Sequence, residues 1–135
     1  MGDPHGLYVN ARTSELQQVF VNLVKNAVEA LIERYGTEKP FAGRVVVKAG
    51  RTDRYVWASV SDNGPGIPKE RQSAIFDPFY TTKPPGRGTG LGLNIVYRIL
   101  TKYRGQITVE SVEREGTTFH VRFPNEDGTD ADVTE

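Results

Sequence analysis

Two pairs of strand-like segments, each folded back by a short turn, set the tightest limit on how this chain can fold. Arg44 to Gly50 and Arg54 to Asp62 read as strands joined by a polar turn at Thr52-Asp53. Gln106 to Ser111 and Thr117 to Phe123 alternate in character, and Glu115-Gly116 turns them into a closing hairpin. Such pairs form antiparallel ladders. Two long helix-like runs accompany them. Leu16, Phe20, Leu23, Ala27 and Leu31 recur at helical spacing; Ser14 begins this helix with Gln17 as its capping-box partner, and Gly36 ends it. Leu91 to Tyr103 reads as the second. Pro68 to about Ile75 is expected to form a short helical turn, Leu7 to Val9 a short strand, and the Gly/Pro-rich stretch from Asp77 to Gly90 a mobile loop. The order helix, two strands, loop, helix, two strands predicts helices layered on one face of a largely antiparallel sheet.

At 135 residues the chain is read as one domain, 7–124, able to bury a core without covalent staples. It has no Cys, which excludes a disulfide scaffold and a Cys-based zinc site. No apolar run approaches the roughly 20 residues that cross a bilayer, and the N-terminus does not read as a signal peptide. The expectation is a soluble, cytoplasmic domain without membrane contact. Residues 1–6 read as a leader or cloning scar. The acidic stretch 125–135 holds five acids and no base and reads as a disordered tail, leaving twelve acids against seventeen bases elsewhere. Neither a basic run nor aromatic-basic interleaving suggests nucleic acid.

Three segments carry the chemistry. Asn22 and Asn26 are four apart, so their carboxamides share a helix face, with Asn26 at the edge of the apolar stripe. There its carbonyl oxygen could serve a hard cation such as Mg²⁺, or simply hold a neighbouring loop. In Asp62-Asn-Gly-Pro-Gly66, a carboxylate that only accepts hydrogen bonds would take the exocyclic N–H of adenine, while Gly64 and Gly66 let a flat base approach the backbone. A plain strand-connecting turn is the alternative. Gly86-Arg-Gly-Thr-Gly-Leu-Gly92 opens into the second helix and could gather phosphates on free N–H groups. It is neither a P-loop nor a dinucleotide fingerprint. Lys83 and Arg87 share this loop and could meet phosphate or solvent. Phe76, Phe79 and Tyr80 around Pro78 read as an aromatic cluster at its base. Each signal is weak alone, but their order suggests a purine nucleotide, its metal and its phosphates.

With these residues assembled, the sequence resembles the catalytic, ATP-binding domain of bacterial sensor histidine kinases, in the superfamily shared with gyrase B and MutL. Ser14 to Ala30 is similar to the N box, Asp62 to Gly66 to the G1 box, Ile75 to Lys83 to the F box, and Gly88-Thr-Gly-Leu-Gly-Leu93 to the G2 box. Gly116-Thr-Thr-Phe119 resembles the strand signature whose Thr117 would assist Asp62. The resemblance implies an α/β two-layer sandwich with about three helices on one face of a five-stranded, mixed, largely antiparallel sheet. ATP would lie between the sheet and a lid over Tyr80 to Gly90. Asn26 would bind Mg²⁺ with Asn22 assisting. Asp62 would select adenine, and Gly64, Gly66 and Ile67 would shape the base site. Thr82 and Lys83 of the lid, and Gly88, Thr89, Gly90, Leu91, Gly92 and Leu93, would meet the phosphates. ATPase relatives place a Glu where Asn22 stands, and an amide is a poor proton acceptor, so phosphoryl transfer is favoured over hydrolysis. The implied partners are a dimerisation domain carrying the acceptor His and, indirectly, a response regulator. Neither His5 nor His120 resembles the acceptor motif, and Arg12 stands where the family often has an acid. A hydrolysing ATPase, an anti-sigma-type serine kinase and a nucleotide-binding module without activity remain open as alternatives.

Overall fold

The computed structural model describes residues 12–37, 42–77 and 92–125. The first element, α1, spans Thr13–Tyr35. It starts one residue ahead of the expected cap. Arg12 is the N-cap and makes no side-chain capping bond, while its carbonyl accepts the Glu15 and Leu16 amides at 3.1 and 3.0 Å. Ser14 therefore lies inside the first turn, and the Ser14/Gln17 capping box does not form. Glu15 in that turn complements the positive end of the helix dipole. Gly36 ends α1 as expected, at φ 71°, with its N–H on the Ile32 carbonyl.

Two hairpins build the sheet: β1 (Val45–Arg51) with β2 (Tyr55–Asp62), and β3 (Gln106–Val112) with β4 (Gly116–Pro124). The strand order is β1-β2-β4-β3, with every neighbouring pair antiparallel. The last strand is thus central, and its register sets Asp62 opposite Thr117. The second helix, α2 (Gly92–Lys102), lies beside α1 on the same face. Ala58, Val60, Phe119, Val121 and Phe123 from the sheet meet Val19, Leu23 and Ala27 from α1 and Val96, Ile99 and Leu100 from α2. Each fully buried large side chain among them contributes roughly 1.5–3 kcal/mol. The other face of the sheet is polar: Ser61 bonds Thr118, His120 bonds Glu110 and Arg122 stacks over Tyr55. His120 is thus a sheet-face residue, as its alternation suggested.

The short helical turn expected after Pro68 is present and is of the 3-10 type. Between Pro68 and Ile75 the chain makes a 3-10 turn, Lys69–Arg71, and continues in tight turns. The amides of Arg71, Gln72, Ala74 and Asp77 each bond three residues back. The Gln72 side chain reaches the Ile67 and Ser111 carbonyls, pulling this segment onto the β3–β4 hairpin. The sheet has four strands among the described residues. The candidate strand Leu7 to Val9, the loop aromatics Phe79 and Tyr80, and the acidic tail beyond Asn125 lie outside them.

Candidate functional site

Asp62 ends β2 on the core-facing side, where it is 9% exposed. Its Oδ1 accepts the Gly64 amide at 2.8 Å, and the Thr117 amide also donates to the carboxyl group. Burial pushes its pKa up, and the two amides partly offset that. The carboxylate is held by backbone dipoles, which keeps its remaining lone pairs free for a ligand donor.

The loop after Asp62 is pinned from both layers. Arg34 near the end of α1 donates to the Asn63 and Gly64 carbonyls at 3.1 and 2.9 Å, and the Tyr35 hydroxyl donates to Asn63 O at 3.0 Å. The Asn63 side chain accepts from Arg44 N and donates to Ala42 O. Gly64 sits so close to Ala30 and to Asp62 Oδ1 that a Cβ would lie 3.0 and 2.8 Å from them. At Gly66, φ is +77° and a Cβ would stand 2.3 Å from Val112 O. Only glycine lets this loop press onto the hairpin. On the hairpin side, Ile67 N donates to Ser111 Oγ at 2.8 Å, and Ser111 Oγ lies 2.8 Å from Thr117 Oγ1.

Across the layer, Asn22 and Asn26 sit half-buried one turn apart on α1. Asn22 bridges the helices: its Nδ2 donates to Gly92 O at 3.1 Å, and its Oδ1 accepts Gln18 Nε2 at 2.7 Å. No hydrogen bond joins the Asn26 carboxamide to another described residue. Leu93 packs against the core, and Gly92 opens α2. The described residues thus bring Asn22, Asn26, Gly92 and Leu93 to one side, and Asp62, Gly64, Gly66, Ile67 and Thr117 to the other. Thr82, Lys83, Gly88, Thr89, Gly90 and Leu91 lie outside the described residues.

This arrangement sets a buried acceptor, followed by a glycine loop packed onto the β3–β4 hairpin, together with a half-buried amide and the start of a helix. It suits a flat base with an exocyclic amine at one end and anionic groups at the other. Residues 11–127 match the family described as histidine kinase-, DNA gyrase B- and HSP90-like ATPase. The chain belongs to that family. Among relatives of this ATPase domain, sporulation kinase C of Bacillus subtilis is 38% identical over 119 residues, covering 88% of this chain and 26% of that protein. The chain therefore spans about a quarter of that relative's length. The nucleotide-free catalytic domain of histidine kinase ThkA superposes with a TM-score of 0.72 at 35% identity, covering 88% of this chain and 73% of that one. Full-length ShkA in complex with AMPPNP superposes at 0.68, with 31% identity, 82% of this chain and 21% of that one. The two-layer α+β fold with its antiparallel sheet matches the histidine kinase catalytic domain.

Several residues that organise the site of this ATPase domain escaped sequence reasoning. Ser111 looked like the end of an alternating strand. Nothing in the sequence pattern singled out Arg34 or Gln72. Asn94, 7% exposed in the first turns of α2, donates to Phe76 O at 3.0 Å. Phe76 itself meets Tyr97 and Phe119 at ring-centroid distances of 6.0 and 6.3 Å, partners other than the Phe79 and Tyr80 of the expected cluster, which lie outside the described residues. A polar residue interrupting an apolar helix start was the one available signal for Asn94.

Proposed function

We propose that this chain is the ATP-binding catalytic domain of a sensor histidine kinase. It would present the γ-phosphoryl group of ATP to a histidine on a dimerisation domain outside the chain, from which phosphate would pass to a response regulator. The observation that carries this reading is the buried Asp62 carboxylate, held by the Gly64 and Thr117 amides at the head of a loop whose close packing only glycines permit. An acceptor so placed pairs with a 6-amino group and repels a 6-oxo group. The AMPPNP bound by ShkA is an adenine nucleotide analogue, and this supports the assignment.

Mg²⁺ fits the opposite side. The residues there offer one neutral amide oxygen, from Asn26. Among the described residues no cluster of three or more His, Cys, Asp or Glu could hold a metal. That donor set suits a cation held chiefly by phosphates and waters, which would neutralise charge as the phosphoryl group transfers. Asn22 acts indirectly, fixing the first turn of α2 against α1. With its carbonyl oxygen on Gln18 and its NH₂ on Gly92, it cannot serve as a general base for water. Thr82, Lys83, Gly88, Thr89, Gly90, Leu91 and Leu93 would meet the phosphates. Among the described residues no helix is long and apolar enough to cross a membrane. We assign the domain to the cytoplasm, where ATP is available.

Two measurements test the reading. Thermal shift with ATP, ADP and GTP, with and without Mg²⁺, should give a larger rise in melting temperature for ATP than for GTP, because ligands that bind only the native state stabilise it by mass action. Mixing the chain with a histidine kinase dimerisation domain and labelled ATP should give acid-labile phosphohistidine. An acid-stable phosphoester, or steady hydrolysis without acceptor, would overturn it.

A further inference from the structure

We infer that Ser111 is a positioning residue for base selection: it turns the Thr117 hydroxyl so that the pocket presents acceptors only. This rests on the adenine-binding reading above. Ser111 Oγ lies 2.8 Å from Ile67 N, 2.9 Å from Gly116 O and 2.8 Å from Thr117 Oγ1. A serine hydroxyl has one proton and two lone pairs. The Ile67 amide can only donate, and the Gly116 carbonyl can only accept. The Ser111 proton therefore goes to Gly116, and Ser111 accepts from both Ile67 and Thr117. All three of its positions are filled.

The consequence falls on Thr117. With its proton committed to Ser111, its hydroxyl offers only lone pairs to anything else. Thr117 is 6% exposed and is the register partner of Asp62, so two acceptors stand side by side on neighbouring strands, shielded from water. In such a place an unmatched lone pair is costly. A 6-aminopurine brings N–H groups to this pair, directly or through a water. At position 6 a 6-oxopurine brings another lone pair and finds no donor there. Asp62 alone would leave a neighbouring hydroxyl free to rotate and donate to that oxygen; Ser111 removes the option.

The Gly66-Ile67 loop has other anchors, since Gln72 Nε2 donates to Ile67 O at 2.9 Å and Arg114 N to Pro65 O at 2.6 Å. Loss of the Ser111 hydroxyl should thus release the Thr117 proton without dismantling the loop.

The test is the ratio of ATP to inosine triphosphate affinity, measured by calorimetry on the 135-residue chain carrying Ser111→Ala, Ser111→Thr, Thr117→Val and Ser111→Ala/Thr117→Val. Ser111→Ala should lower the ATP preference roughly tenfold, and Ser111→Thr, which keeps the hydroxyl, should restore it. In the Thr117→Val background, Ser111→Ala should leave the ratio unchanged. If Ser111→Ala yields no folded protein, Ser111→Cys, whose thiol is a weak partner, serves in its place. A wild-type preference for ATP that survives Ser111→Ala overturns the inference while leaving the adenine site intact. So does a Ser111→Ala effect that persists without the Thr117 hydroxyl. A wild-type chain that binds the two nucleotides equally overturns the adenine site itself, and the role of Ser111 with it.

Discussion

The Asn22 carboxamide donates to the Gly92 carbonyl at 3.1 Å across 70 residues of sequence, tying the middle of α1 to the first turn of α2. That carbonyl belongs to the helix whose N-terminus faces the proposed phosphates. Asn22→Ala should destabilise the chain by about 1 kcal/mol and weaken ATP more than adenosine, because only ATP reaches that end of the site. Asn22→Asp should be worse, since an oxygen replaces the donor that faces Gly92. Calorimetry with both ligands checks this. Equal losses for ATP and adenosine would show that Asn22 is not coupled to the phosphate end.

Asp62 ties stability and binding to pH with opposite signs. Burial raises its folded pKa, so acidification protonates the folded chain before the unfolded one. This group's contribution to stability therefore rises as pH falls through the raised value, and levels off below the ordinary carboxylate range. ATP affinity should fall over the same window, since a protonated carboxyl no longer accepts freely from the base. Glu15 has the reverse slope. Its pKa is held low by the Tyr103 hydroxyl and the Lys102 ammonium, so its contribution is present above the ordinary value and lost as pH falls through the folded one. Subtracting the Asp62→Asn variant isolates Asp62. That variant should melt higher than wild type at pH 7, by a margin that shrinks on acidification, and should lose adenine selectivity. A margin independent of pH would contradict this account.

Glycines in this chain differ sharply in what they tolerate. Gly66→Ala must hold a side chain at φ +77° with its Cβ against the Val112 carbonyl. A loss of roughly 2–4 kcal/mol is expected, read by chemical denaturation, together with weaker ATP binding. At Gly92 nothing lies within 4 Å of an added Cβ, and the residue is helical. Gly92→Ala should change stability by less than about 1 kcal/mol, in the stabilising direction. Comparable losses at both positions would refute the packing argument.

The antiparallel sheet and its two helices were readable because the periods differ and the turns carry distinctive residues. Leu23, Ala27, Val60 and Phe119 fall where periodicity puts a core, and all four are buried. Asp62 and its glycines stood out only through their order with Asn26 and the later glycine run, since alone they match a common turn. What escaped was whatever depends on distant partners. Ser14 satisfied a capping pattern, yet the start at Thr13 placed it inside the helix. Pro68 opens the expected helical turn, yet nothing local told that Gln72 would reach the Ser111 carbonyl on β3. Ser111 gained its meaning only when register set it beside Thr117. Local pattern specifies elements, but it cannot say which polar side chain meets which across 40 residues.

Asn94 offers the sharpest test of a contact that sequence pattern did not reveal. It is 7% exposed, and its Nδ2 donates to the Phe76 carbonyl, tying α2 to a segment whose ring packs edge-on to Phe119 in the core. Asn94→Ala removes the donor, leaves the carbonyl unpaired and should cost about 1–3 kcal/mol. Asn94→Asp has nearly the same volume but sets a second acceptor against the carbonyl, in a place where burial penalises its charge. It should therefore destabilise more than Asn94→Ala at pH 7, and the gap should narrow in acid as the new carboxyl gains a proton able to donate. Packing alone predicts the opposite order, because Asp fills the space that Ala leaves empty. Urea midpoints for the two variants at neutral and acidic pH separate hydrogen bonding from volume at this position.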